Sequence, residues 1–327
     1  MSVVAFIVIV VLLGAYVLLD GYDLGVAAIT PIVAQTDRQR EGSMRAIGPF
    51  WNGNEVCLLA AGGALFALFP KAYASSFSGF YLPFVIVLWL LMVRGVAMEL
   101  RSHFPSEIWH HFWDTCFAIS SVLLILLFGV ALGNLIHGVP LGPEGYFTGT
   151  FAALLNPYAL IVGLFAVLTL SLHGTTFLVM RTAGPAAERA RRLVPWLWPF
   201  VLALYIAATA AAIAEHGTGL SWIDMIPVLT VGSLIGLLFA SLNKRERTAF
   251  ALSSLFVASL LFQAAASMYP YLLPSLPPGR GISIFDAAPN PAALASTLTV
   301  TVVGLIVVAF YGFAVTRRMA GKLAIEE

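Results

Sequence analysis

Long apolar runs alternate with short polar breaks along this chain. Nine of the runs reach the roughly 20 residues that a membrane-spanning helix needs. They cover residues 3–33, 51–69, 78–98, 112–135, 151–180, 195–214, 222–242, 248–269 and 292–316. The seventh has the softest start, because Asp224 and Pro227 stand there. The first and fifth are long enough to tilt or to project beyond the hydrocarbon. The pattern predicts an all-α polytopic membrane protein, a single helical-bundle domain over residues 1–327 with no internal repeat. The Pro- and Gly-rich stretch 270–291, with Pro270, Pro274, Pro277, Pro278 and Gly279, is expected to be an ordered surface loop.

Charge supplies an orientation. Arg38, Arg40 and Arg45, then Arg101, then Arg181, Arg189, Arg191 and Arg192, then Lys244, Arg245 and Arg247 occupy alternate loops, and Arg317, Arg318 and Lys322 close the chain. Only Lys71 and Arg280 fall on the other side, and Arg94 lies within a span. The positive-inside rule puts the N-terminus outside and the C-terminus in the cytoplasm. Trp109, Trp113, Trp196, Trp198 and Trp222 stand near span ends and read as an interfacial belt. With no Lys or Arg ahead of a long first run, a cleaved signal peptide is not expected. The composition agrees: 60% of residues are hydrophobic and 10% charged, against about 25% charged in a soluble domain. The net charge of +1 gives no sign of a nucleic-acid partner, and Cys57 and Cys116 form neither a disulfide framework nor a zinc motif.

Against this background the stretch Leu19-Asp20-Gly21-Tyr22-Asp23-Leu24-Gly25 stands out. Carboxylates inside a spanning helix are costly and mark function by default. Asp20 and Asp23, three apart, share a helical face. Gly21 and Gly25, four apart, fall on roughly the opposite face and permit close approach of another helix. At about 1.5 Å per residue the two acids lie roughly 25–30 Å along the first helix, in its cytoplasmic half. Asn52, Asn54 and Glu55 open the second span, with Asn52 and Glu55 on one face. Arg94 and Arg101 share a face of the third, with Glu99 pointing elsewhere, and His173 lies in the cytoplasmic half of the fifth. Four helices thus bring polar groups to one depth. They are expected to form a hydrated pocket open to the cytoplasm, with Arg94 as counter-charge to Asp20, Asp23 or Glu55. Carboxylates in such a pocket can carry protons, since burial disfavours the charged form. The competing reading is structural: ion pairs and interhelical hydrogen bonds that hold the bundle together. For His173 that reading is preferred. The four arginines between the fifth and sixth spans read most simply as topology determinants.

Other chemistry leaves no mark. There is no P-loop, no Cys-x-x-Cys-His and no pair of histidines at bundle spacing. Met92 and Met98 are better read as core residues than as axial ligands.

The motifs together resemble a known family, subunit II of the cytochrome bd quinol oxidases. They are Asp20-Gly21-Tyr22-Asp23-Leu24-Gly25, Trp51-Asn52-Gly53-Asn54-Glu55-Val56, Arg94-Gly95-Val96-Ala97-Met98-Glu99-Leu100-Arg101, Leu172-His173-Gly174 and Tyr269-Pro270-Tyr271, in the family's order and across essentially the whole chain. The resemblance implies a non-haem subunit in the cytoplasmic membrane of a bacterium or archaeon, beside a haem-bearing subunit I. That partner is expected to hold haems b and d and the quinol site. The complex would oxidise quinol, reduce O2 to water and take protons from the cytoplasm, with this subunit lining part of the access route. A small single-helix subunit, lipid or a structural quinone are further expected companions. Asn52 stands where the family commonly has Asp, so it can relay a proton but not carry one. Cys57 stands in place of a frequent Trp. Two alternatives remain: a proton-coupled secondary transporter, which would need broken helices in matching halves, and a purely structural partner subunit.

Overall fold

The computed structural model describes residues 1–216, 225–276, 281–319 and 321–324. Trp222, Asp224, Pro277, Pro278, Gly279 and Arg280 lie outside the described residues.

The described chain is built from helices α1 (Ser2–Val33), α2 (Asp37–Ile47), α3 (Trp51–Leu68), α4 (Pro70–Gly79), α5 (Tyr81–Leu100), α6 (Glu107–His137), α7 (Pro157–Arg181), α8 (Pro185–His216), α9 (Met225–Leu242), α10 (Glu246–Met268) and α11 (Pro291–Arg318). Among the described residues, seven of these are long and apolar enough to cross a membrane: α1, α5, α6, α7, α8, α10 and α11. Two of the nine expected spans are less clear-cut. The first turn of α3 is polar, with Asn52, Asn54 and Glu55, and the apolar stretch in α9 covers only Ile226–Leu242.

Two helices were not expected. The loop between the first two spans contains α2, whose start is written in a local motif. The Thr36 hydroxyl accepts from Gln39 N at 3.3 Å while Gln39 Oε1 accepts from Gln35 N at 3.0 Å, a variant of the capping box shifted by one residue. Its buried side carries Met44, Ala46 and Ile47. α4 begins at Pro70, where the missing N–H costs nothing. α7 and α11 start alike: Asn156 and Asn290 cap the backbone N–H of Ala159 (2.8 Å) and Ala293 (2.9 Å), with a proline at the first helical position.

At one end, two short strand pairs knit the loops together. β1 (Val139–Pro140) runs parallel to β4 (Ser275–Leu276), and β3 (Tyr271–Leu273) antiparallel to β5 (Ile282–Ser283). They cap an apolar cluster that includes Phe6, Ile9, Leu68, Phe69, Phe80 and Leu294. The stretch 270–291 is thus ordered over its described part. The basic loops meet at the opposite end. There Arg101 binds both Asp37 and Asp114 at 2.6 Å, and Arg189 donates to Val33 O at 2.7 Å and also to Gln39. β2 (Thr182–Ala183) pairs in parallel with β6 (Leu323–Ala324).

Packing around α1 organises the bundle. α1 touches α3, α6, α7 and α10, and its tightest approach is to α7. A Cβ on Gly25 would overlap the carbonyl oxygen of Leu170, and one on Gly174 would overlap the backbone between Gly25 and Val26. A Cβ on Gly21 would stand 3.0 Å from Leu170 Cδ2. Gly129 and Gly133 let α6 approach α7 in the same way, against Val162, Gly163 and Ala159.

Gly25→Ala is therefore expected to destabilise the folded protein by about 1–3 kcal/mol or more through overpacking. Gly14→Ala, where a Cβ meets nothing within 4 Å, should be neutral or gain up to ~1 kcal/mol of helix propensity. Thermal-unfolding midpoints of the two variants in one detergent check this pair.

Candidate functional site

On the face of α1 away from α7, Asp20 meets Arg94 of α5. The guanidinium grips the carboxylate with two bonds, Nη2 to Oδ1 at 2.7 Å and Nη1 to Oδ2 at 3.1 Å. Both side chains are 0% exposed. The same Nη1 donates to Glu55 Oε1 of α3 at 3.1 Å, and Glu55 keeps 26% of its side chain exposed. One guanidinium thus joins three helices, and the outermost member of the set reaches the surface. The planar fork of Arg is suited to this task, since it can serve two carboxylates in one plane.

Asp23 belongs to a second, adjoining set. Its Oδ2 accepts from Asn54 Nδ2 at 2.7 Å. Asn54 Nδ2 also lies 3.0 Å from Tyr22 OH and 3.1 Å from Leu19 O. It has two hydrogens for these three acceptors, so the Tyr22 hydroxyl and the Leu19 carbonyl share the second. Asp23 Oδ1 is buried without a hydrogen-bond partner among the described residues, which leaves it open to a further donor. Tyr16, one turn before Asp20, is buried edge-on against Phe128, with ring centroids 5.6 Å apart.

His173 lies on the other flank of α1. Its Nε2 faces the Leu18 carbonyl at 3.1 Å and its Nδ1 faces Ser253 Oγ of α10 at 2.7 Å. A carbonyl only accepts, so Nε2 carries the proton and Nδ1 accepts from the Ser253 hydroxyl. Thr176 Oγ1 stands 2.9 Å from the same hydroxyl, and Phe250 stacks on the imidazole with centroids 5.2 Å apart. Both ring nitrogens are occupied and the ring is buried, so His173 acts as a strut between α1, α7 and α10.

Of the polar residues singled out in the sequence, Asp20, Arg94 and Glu55 form one contiguous set, and Asp23 with Asn54 lies beside it. Three stand apart. Asn52 is exposed on the outward side of α3, and Glu99 is exposed near the end of α5. His173 belongs to a separate network. Arg101, on the face of Arg94, turns to Asp37 and Asp114 at the basic end.

Sequence reading missed several partners. Tyr22 stacks on Phe177 at 4.1 Å and hydrogen-bonds Asn54, joining the acid set to an aromatic box with Phe50 and Phe250. Its position within the Asp-Gly-Tyr-Asp motif was the available signal. The arginines after the fifth span also do more than set topology. Arg181 lies over the Phe50 ring at 5.7 Å, and Arg191 bridges Glu188 and Glu246.

Both ring nitrogens of His173 are hydrogen-bonded, and a groove of about 490 Å³ between α1, α3 and α11 is lined by small and apolar residues such as Ala60, Gly63, Ala64 and Leu305.

Two carboxylates on one guanidinium, with a third beside them, give the site its chemistry: ion pairing at the centre, and a partly exposed acid at the edge. Arg94→Gln should cost about 3–5 kcal/mol, because it strands Asp20 as a buried charge. The double variant Asp20→Asn/Arg94→Gln removes both charges and should recover a large part of that loss. Thermal unfolding of the two single variants and the double variant measures the coupling.

A family model described as cytochrome bd terminal oxidase subunit II matches residues 1–319. The chain is 32% identical to a probable cytochrome oxidase subunit 2 of Haemophilus influenzae, over 97% of this chain and 93% of that protein. It is 31% identical to the cytochrome bd-I ubiquinol oxidase subunit 2 of Escherichia coli, with the same coverage. For the cytochrome bd ubiquinol oxidase subunit 2 of Bacillus subtilis the figure is 30%, over 94% of each chain. Among solved structures, a chain of the bd oxidase from Geobacillus thermodenitrificans shares the fold, with a TM-score of 0.82 at 18% identity over 97% of both chains.

Proposed function

The chain belongs to the cytochrome bd terminal oxidase subunit II family, and from that premise we propose that it is the non-haem subunit of a respiratory quinol oxidase. The complex takes electrons from quinol and reduces O2 to water. In this reading haems b and d lie in the partner, subunit I. The protein is a multi-pass membrane protein of the bacterial inner membrane, crossing nine times. Its basic end faces the cytoplasm, in keeping with fourteen of its seventeen Lys and Arg residues falling in the loops and tail on that side. Lipid covers the exposed apolar faces that carry Leu59, Trp89 and Phe310. The groove between α1, α3 and α11 is lined by Ala60, Gly63, Ala64, Ala67 and Gly304, small residues that leave room for an acyl chain or the tail of a structural quinone. A small single-helix subunit completes the assembly.

One observation carries the mechanistic part: a buried Asp20–Arg94–Glu55 network that opens to the surface only at its acid edge. Oxygen reduction consumes protons, and a charge cluster with more carboxylates than cations can take one up. In this reading Glu55 receives the proton at the cytoplasmic side. Arg94 binds both Asp20 and Glu55 and so keeps the two acids in fixed relation for a proton that passes between them. Asn54 and Tyr22 hold Asp23 as the next acceptor inward. Asn52 faces outward from α3, apart from these groups. Glu99 and His173 lie off the route.

A second reading has its own observation. The Asp20–Arg94 pair is wholly buried, as a purely structural lock would be. Turnover separates the two. In the purified complex, with b- and d-type haem bands recorded by difference spectroscopy, Glu55→Gln is expected to cut quinol-driven O2 uptake per haem by about 10-fold or more, the range of a lost proton-transfer group. Normal turnover per assembled haem, with lower assembly alone, would establish the structural reading. A chain that purifies colourless and alone would overturn the oxidase assignment.

A further inference from the structure

α11 is the most loosely seated of the long helices. It touches α3 and, more lightly, α1, and it is exposed along most of its length. Near the basic end the Tyr311 ring approaches Gly53, where a Cβ would meet it at 3.3 Å. Between there and the opposite end α11 stands off from its neighbours, leaving the apolar groove of about 490 Å³ with buried Cys57 on its wall. Leu298 and Leu305 reach the apolar cluster from α11, but a Cβ at Gly304 would meet nothing within 4 Å, so the helix is held along this stretch by few side chains.

Both ends of α11 are tied. At the β1–β4 end, Leu294 is buried in the cluster with Phe6 and Leu68. At the basic end residues 321–324 lie against α7, α8 and α10. Leu323 and Ala324 pair with Thr182 and Ala183, and the Arg181 guanidinium donates to Gly321 O. Lys322 forms an ion pair with Glu246 of α10, which Arg191 of α8 also holds. Leu323 packs against the cluster that contains Tyr22, Ile47 and Phe177. Residues 321–324 therefore join the one loosely packed helix to α7, α8 and α10.

We propose that residues 321–324 form a latch that holds α11 over the groove, so that release of this segment opens the groove between α11 and α3. The latch consists of two strand-paired residues, a side-chain bond to a carbonyl, a partly exposed ion pair and the half-buried Leu323 side chain. Each of these is individually weak and can exchange with water, so the segment can open without unfolding the bundle. The ends of the helix differ in kind. The β1–β4 end is a packed apolar anchor and acts as the hinge, while the basic end is a mainly polar clasp with Leu323 as its one apolar contact among the described residues.

Cys57 reports on the groove, and Cys116 on α6 is an internal control. The assembled complex in lipid nanodiscs is treated with N-ethylmaleimide, and modification of each cysteine is followed by mass spectrometry. A chain ending at Arg318 is expected to label at Cys57 about 10-fold faster or more than the full chain, since labelling tracks the open population, with Cys116 unchanged. The variant Ala183→Cys/Ala324→Cys places thiols on residues paired across the two strands, close enough for a disulfide. Oxidised, it should label at Cys57 several-fold more slowly than when reduced. Equal Cys57 rates in the oxidised and reduced variant would overturn the latch, and that comparison decides the matter even if the shortened chain does not assemble.

Discussion

The bidentate pair between Arg94 and Asp20 is the constraint on which the rest of this half of the molecule depends. A guanidinium and a carboxylate both at 0% exposure persist only if each satisfies the other. This fixes α5 against α1 at one depth. Once Arg94 is fixed, its remaining donor capacity reaches Glu55 and draws in α3. On the far flank of α1, the glycines at 21 and 25 bring α7 close enough for His173 to reach the Leu18 carbonyl. α1 therefore has an electrostatic face and a close-packed face, and the two networks meet only through its backbone and Tyr22.

Much of this was legible in the amino-acid sequence, and the boundary of legibility has a physical cause. Hydrophobic runs predict spanning helices because lipid demands length and apolarity, and seven helices satisfy both demands. The same rule says nothing about helices lying at the membrane edge. α2 reads as a charged loop by composition, and only the Thr36 and Gln39 capping bonds at its start betray it. α8 begins ten residues before its apolar run because Arg189 and Arg191 find partners in Val33, Gln39, Glu188 and Glu246 and so can be helical outside the hydrocarbon.

Within the site, spacing along a helix gave depth and relative face, but not which neighbour a face meets. Depth alone grouped His173 and Glu99 with the acids. His173 sits at a similar level on the opposite side of α1, and Glu99 points outward. Arg94 was expected to serve one of three acids, and it serves Asp20 and Glu55 while Asp23 turns to Asn54. That choice depends on the rotation of three helices about their axes, which is fixed by packing contacts distributed over the whole bundle. Tyr22 escaped notice because an aromatic residue in an apolar helix is ordinary. Its hydroxyl matters only once Asn54 is seen beside it.

The central claim is that Glu55 receives protons for oxygen reduction. Proton uptake during a single turnover tests it most directly. The fully reduced complex is mixed with O2, haem oxidation is followed optically, and a pH-sensitive dye records proton uptake from the cytoplasmic side. In the Glu55→Gln complex, electron transfer among the haems should begin at the wild-type rate while proton uptake lags well behind it. Proton uptake that keeps wild-type kinetics in that variant would contradict the account and leave the Asp20–Arg94–Glu55 network as scaffold alone.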